Sequence, residues 1–217
     1  MVTTLELHVL TDRHWSRGRD ALEVARAAIA GGADVIQLRD KEASTRELVS
    51  LGQALRELTR ATGTRLIVND RVDVALAVEA DGVHVGQDDM PVAIARRLMG
   101  PDRIVGASAG TLAEALAAAD AGATYLGVGP IYATLGKSDA GAPVGPELLR
   151  AIRARVSLPL IAIGGITAAR APEVMRAGAD GVAVITAVVN AEDIAAAARA
   201  LKRAMSELSS ERPEANR

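Results

Sequence analysis

The chain alternates eight times between a short apolar run of strand length and a longer run rich in Ala, Glu, Arg and Leu. Strands are expected over residues 5–10, 35–39, 65–69, 82–85, 104–108, 125–129, 158–163 and 181–185, each followed by a helix. Eight βα units within 217 residues is what closure of a parallel sheet into a barrel demands. A doubly wound open sheet would show about five or six strands and an early glycine-rich fingerprint. Neither is seen. The expectation is an α/β protein, a single-domain (β/α)₈ TIM barrel over residues 1–206. A polar tail, 207–217, is expected to be disordered.

A local repeat supports the alternation. AGGADVIQL, EADGVHVG, AGATYLGVG and AGADGVAVI each end a helix in a small-residue turn and enter a strand. Glycine at such a turn supplies the left-handed conformation that stops a helix. The uneven spacing rules out a solenoid period. Ser44 with Glu47, and Thr111 with Glu114, have capping-box spacing at two helix starts.

Composition narrows the function classes. With one Trp, two Tyr and no Phe, the core must be aliphatic, and there are no aromatic platforms for nucleobases. A net charge of −2 offers no basic footprint for nucleic acid or for a membrane surface. The absence of cysteine excludes disulfides, thiolate metal sites and a Cys nucleophile, and agrees with a reducing cytoplasm. The first ten residues lack a basic n-region and are interrupted by Glu6 and His8, unlike a signal peptide. No charge-free apolar stretch is long enough to span a bilayer.

Active sites of such barrels lie where the strands' C-terminal ends meet the βα loops. Polar residues and glycines crowd those ends: Gln37 to Lys41, Asn69-Asp70, Gln87-Asp88-Asp89, Ser108, Thr134 and Lys137, Gly164-Gly165 and Thr186. Asp70 and Asp89 end neighbouring strands, so their carboxylates can meet. Alone they would repel, whereas Mg²⁺ favours one or two carboxylates completed by water and phosphate oxygens. A helix N-cap and a surface charge are the plainer alternative. Arg39 and Lys41 would face one way if strand two continued, one to grip phosphate in a fork and the other as a point charge. Lys137 lies in a long glycine-containing loop of the kind that carries function on this face. A solvated surface Lys or a Schiff-base Lys is the other reading. Gly164-Gly165 and Thr186 occupy the usual phosphate position after strands seven and eight, unless the glycines form a simple tight turn. Two phosphate regions imply two phosphorylated small-molecule substrates, or one phosphorylated at both ends. His84 reads as a packed core residue, and His8 and His14 carry no readable role. Oligomeric state is not readable from the sequence; a homodimer would follow the pattern common among soluble enzymes.

QLRDK, VNDRVDVAL, ADGVHVGQDD, GASAGT, GPIYATLGK, AIGGI and AGADGVAVIT, in this order, resemble the thiamine-phosphate synthase family from about Leu7 to Ala204. The resemblance implies Mg²⁺-dependent joining of a pyrimidine methyl diphosphate to a thiazole ethyl phosphate. It implies Asp70 and Asp89 as metal ligands. It puts Gln37, Arg39, Lys41, Asn69, Ser108 and Lys137 on the diphosphate side, with Leu38 and Asp40 in the same segment. Arg39, Lys41, Ser108 and Lys137 would be the catalytic set. Thr134, Gly165, Ile185 and Thr186 would cradle the thiazole phosphate, with Leu135 and Gly136 in the same loop. The sequence departs from the family's usual pattern at Ala133, where Pro is common, at Gly136, where Thr is common, and at Gly110, where His is common. A thiazole tautomerase of the same superfamily would not need the acidic pair or the cations. A silent regulatory protein would draw only on the Gly136 and Gly110 departures, and the acidic pair argues against a phosphosugar isomerase or aldolase.

Overall fold

The computed structural model describes residues 6–134, 136 and 141–206. Eight strands, β1 (Glu6–Leu10), β2 (Val35–Leu38), β3 (Arg65–Asn69), β4 (Gly82–Val85), β5 (Ile104–Ala109), β6 (Tyr125–Val128), β7 (Leu160–Ile163) and β8 (Gly181–Val184), pair in sequence order. All neighbours are parallel, and β8 returns to β1, so the barrel closes. The helices α1 (Ala21–Ala30), α2 (Thr45–Thr62), α3 (Val72–Ala77), α4 (Val92–Met99), α5 (Leu112–Asp120), α6 (Pro146–Arg153) and α7 (Ala171–Arg176) separate the strands. Two more, α8 (Thr186–Val189) and α9 (Ile194–Ser206), follow β8. The chain is a single-domain (β/α)₈ barrel. The expected strands recur with end shifts of one or two residues; position 5 and the tail 207–217 lie outside the described residues.

Period-two alternation sorts the strand residues into two layers. Leu7, Val9, Ile36, Leu38, Leu66 and Val68 point outward into the aliphatic layer beneath the helices. Leu10, Tyr125, Ile161 and Ala183 point inward and form a second, smaller cluster inside the barrel. Inward polar residues climb the strands toward the mouth: His8 and Tyr125 low, Gln37, Asn69 and His84 higher, all buried.

The repeated junctions prove to be clasps. The residue before each even strand, Asp34, Asp81, Thr124 or Asp180, donates its own N–H to a carbonyl on the preceding odd strand. Its side chain then accepts the N–H of that same residue: Leu7 at 2.7 Å, Leu66 at 2.7 Å, Val105 at 2.9 Å and Leu160 at 2.9 Å. Lys202, Arg56 and Arg153 pair with the three aspartates. The left-handed residue falls just beyond the helix C-cap, at Gly32, Gly122 and Gly178; in the second junction Glu79 takes it up instead, at φ 52°. Of the two expected capping boxes, Ser44–Glu47 is complete. Thr111 accepts from the Glu114 N–H, but the Glu114 carboxylate turns to the Gly110 N–H.

Asp180→Ala is expected to cost about 1–3 kcal/mol, because the buried Leu160 N–H loses its acceptor. Asp180→Asn, which keeps an acceptor oxygen, should cost less. Urea midpoints of the two variants check the order, and equal losses would mean that the Arg153 ion pair carries the effect.

Candidate active site

At the mouth of the barrel, the β1 and β2 ends are laced together. Thr11 donates its N–H to the Gln37 carbonyl at 2.9 Å. Its hydroxyl accepts the Arg39 N–H at 3.0 Å and lies 3.1 Å from the Arg39 carbonyl. Because β2 ends at Leu38, Arg39 and Lys41 do not continue the strand's alternation. They diverge to different acids. Arg39 is buried and paired with Asp12. Lys41 is half exposed and reaches Asp70 at 2.6 Å. Gln37 Oε1 and Arg39 Nε are buried with no hydrogen-bond partner. Buried polar atoms in native proteins are nearly always paired; Arg56 Nε and Arg96 Nη2 are likewise without a partner away from the mouth, and the two atoms here are open to a polar ligand.

Asp70 and Asp89 come together as the strand order requires. Asp70 holds a left-handed backbone, φ 64°, fixed by its N–H donating to the His84 carbonyl at 2.7 Å. A non-glycine residue in that region stores strain of a kind that collects at functional sites. Asp89 accepts the Gly86 N–H at 2.8 Å. Burial, and then the hydrogen-bonded Asp70 carboxyl beside it, push the Asp89 carboxyl above its ordinary range, against the Gly86 N–H and, less, the pull of Lys41. Among the described residues no group of three or more His, Cys, Asp or Glu is arranged to hold a metal ion. Two carboxylates with open positions fit a hard cation that keeps water and takes substrate phosphate. They do not fit a closed all-protein cage.

Asn69, at the top of β3, lines the same wall. Ser108, on β5, lies 3.0 Å from His84 Nε2, and Gln87 donates to its carbonyl at 2.9 Å. The Leu38 side chain faces the outer layer, so only its main chain is near the mouth. Asp40 is engaged by Arg13 at 2.6 Å and by the N–H groups of Glu42 and Ala43, which orders its own loop.

The opposite rim gathers the other set. Gly136 donates its N–H to Thr134 Oγ1 at 3.0 Å. A Cβ on Gly136 would stand 3.6 Å from Thr186 and 3.7 Å from Ile185. Gly164 and Gly165 both have positive φ, and a Cβ on Gly165 would lie 2.6 Å from the Ala133 carbonyl. The turn therefore excludes side chains both by conformation and by space. Tyr132 steadies it from outside: its hydroxyl donates to Glu173 at 2.6 Å, and Arg170 stacks on its ring while donating to the Gly165 carbonyl. Burial, then Glu173, push the Tyr132 phenol up to about 12. Leu135 and Lys137 lie outside the described residues.

Gly165→Ala is expected to lose more than the ~1 kcal/mol ordinary for a strained glycine site, since the backbone must move as well. A melt gives the stability. An unchanged midpoint would mean that the turn relaxes freely.

Sequence reading passed over Asp12, Tyr125 and the part His84 plays. Thr11-Asp12 ends β1 as the other polar pairs end their strands. His84 sits between Gly82 and Gly86 at inward parity, a signal that something bulky and polar fills the barrel there.

The thiamine monophosphate synthase family profile matches residues 7–188. The chain belongs to this family. It is 61% identical over 200 residues to a thiamine-phosphate synthase from Chloroflexus aurantiacus, covering 92% of each chain. A thiamine-phosphate synthase from Moorella thermoacetica is 57% identical over 197 residues, covering 91% of this chain and 94% of that one. The solved structure of a thiamine phosphate pyrophosphorylase from Pyrococcus furiosus superposes with a TM-score of 0.87 at 46% identity, covering 94% and 96% of the two chains. The chain is an enzyme of this family, a transferase of thiamine biosynthesis. No helix among the described residues is long and apolar enough to cross a membrane.

Proposed function

We propose that the mouth joins a pyrimidine methyl diphosphate to a thiazole ethyl phosphate, giving thiamine phosphate and free diphosphate, with Mg²⁺ held by Asp70 and Asp89. The observation that carries this reading is the meeting of those two carboxylates, one pushed toward protonation, beside Lys41 and within a wall that includes Arg39. The separate glycine-lined rim supports a second phosphate.

Bound Mg²⁺ would neutralise charge on the leaving diphosphate. Arg39, Lys41 and Ser108, with Lys137, supply fixed donors to the same oxygens, aimed where charge grows as the carbon–oxygen bond breaks. The carbon left behind is cationic and stabilised by its electron-rich pyrimidine, so no protein nucleophile is needed. Thr134, Gly165, Ile185 and Thr186 hold the thiazole by its phosphate, so that its ring nitrogen meets that carbon as a positioned reactant. The nitrogen–carbon bond forms, and no proton need be removed. A tautomerase would have no use for the acidic pair or the cations, and both are retained.

The test mixes purified protein with both substrates and Mg²⁺, and follows diphosphate release and thiamine phosphate by chromatography. Mg²⁺-dependent coupling is expected. Tight binding of the thiazole phosphate without coupling would overturn the proposal.

A further inference from the structure

A buried hydrogen-bonded line runs from the barrel core to the mouth. The Tyr125 hydroxyl lies 2.8 Å from His84 Nδ1, and His84 Nε2 lies 3.0 Å from Ser108 Oγ. Tyr125 is 2% exposed and His84 9%. Both rings are seated by missing side chains: a Cβ on Gly106 would stand 2.2 Å from Tyr125 Cζ, and one on Gly127 would stand 2.8 Å from His84 Cε1. The His8 ring packs edge-on against Tyr125, with centroids 5.4 Å apart. The proposed reaction employs Ser108 but leaves His84 and Tyr125 unexplained.

The line can have either of two polarities. A neutral imidazole has one donor and one acceptor nitrogen. If Tyr125 donates to Nδ1, the ring proton sits on Nε2 and is given to Ser108 Oγ, and the serine proton is left to point into the mouth. If the ring proton sits on Nδ1, Ser108 must donate to Nε2 and can offer the mouth only lone pairs. A site that holds anionic oxygens needs the first arrangement, because lone pairs facing phosphate oxygens repel.

We infer that Tyr125 fixes His84 as the Nε2–H tautomer and thereby makes Ser108 a hydrogen-bond donor toward an anionic oxygen of the substrate. Tyr125 and His84 are positioning residues, and Ser108 is the group that touches substrate. The inference rests on the proposed reaction, because the anionic oxygens that the reaction brings to the mouth select the polarity, which can nevertheless be read without turnover.

The first arm of the test is ¹⁵N NMR of histidine-labelled protein without substrates, with His84 assigned by its loss in His84→Gln. An Nε2–H ring is expected, shifting toward the other tautomer in Tyr125→Phe. An Nδ1–H ring or a doubly protonated ring in the parent protein would overturn the inference. In the second arm, Tyr125→Phe lowers kcat by about tenfold with little change in KM, less than the ~10²–10³-fold loss of removing a donor outright. In the Ser108→Ala background the same change should cost less than twofold, because the line no longer ends on a hydroxyl. An equal loss in both backgrounds would make Tyr125 a packing residue and overturn the inference. The NMR arm needs no turnover. An Nε2–H ring in a protein that does not couple the substrates sinks the proposed reaction alone, and an Nδ1–H ring in an active enzyme sinks the inference alone.

Discussion

Asp89→Asn is expected to raise the unfolding midpoint of the metal-free protein while lowering Mg²⁺-dependent coupling by about 10²–10³-fold. The Asp89 carboxyl lies above its ordinary range in the folded protein, first through burial and then through Asp70. A carboxyl raised on folding is bound to its proton more tightly in the native than in the unfolded chain. It therefore imposes no penalty below the ordinary carboxylate range. Stability is lost as pH rises from the ordinary carboxylate range through the raised value, and the penalty is complete above it. Asparagine stays neutral, still accepts the Gly86 N–H, and can donate to Asp70, so the penalty disappears. Each kcal/mol recovered corresponds to about 2–4 °C in a chain of this size. Two controls follow. The gain should shrink at acidic pH, where the parent carboxyl is already protonated. It should also shrink as Mg²⁺ is added, because a cation that binds only the folded parent stabilises it by mass action. A variant less stable than the parent at neutral pH without metal would show that the two acids are not in conflict.

The barrel was legible because its eight apolar runs and small-residue turns are local patterns, each readable within one junction. The use made of those junctions was not. Asp34 reaches Leu7 across 27 residues and Asp81 reaches Leu66 across 15, and no local pattern announces such a bond. The same limit explains the site. Asp70 and Asp89 could be brought together on paper, since adjacent strands fix their ends. The Lys41–Asp70 pair spans 29 residues and the Arg39–Asp12 pair 27. Both depend on where β2 stops, at Leu38, one residue before the expected end at Arg39. Parity alone would have turned Leu38 outward. Asp40 was harder, because its partner Arg13 lies in a loop whose path follows from packing. His84 was readable as buried, but its partners on β5 and β6 follow only from the register of three paired strands.

Arg39→Met should destabilise the protein by about 3–5 kcal/mol, the usual effect of leaving one member of a buried ion pair alone. The Arg39 side chain is 6% exposed and that of Asp12 11%. Without the guanidinium, the Asp12 carboxylate still accepts the His14 N–H, at 3.0 Å, with no other hydrogen bond or ion pair seen among the described residues. Adding Asp12→Asn removes the stranded charge while preserving an acceptor for His14, so the double variant should regain most of the lost stability. Activity should not return with it. The buried Nε of Arg39 lacks a partner, and on the proposed mechanism the guanidinium grips the leaving diphosphate. Both variants should therefore stay at least ~10²-fold slow. Urea midpoints and coupling rates measured on the parent, both single variants and the double variant form a cycle in which stability recovers and catalysis does not. If activity recovers together with stability, Arg39 serves the fold and the diphosphate is held by other residues. If stability fails to recover, the damage lies in the lost packing of the Arg39 stem, and Asp12 is not its electrostatic partner.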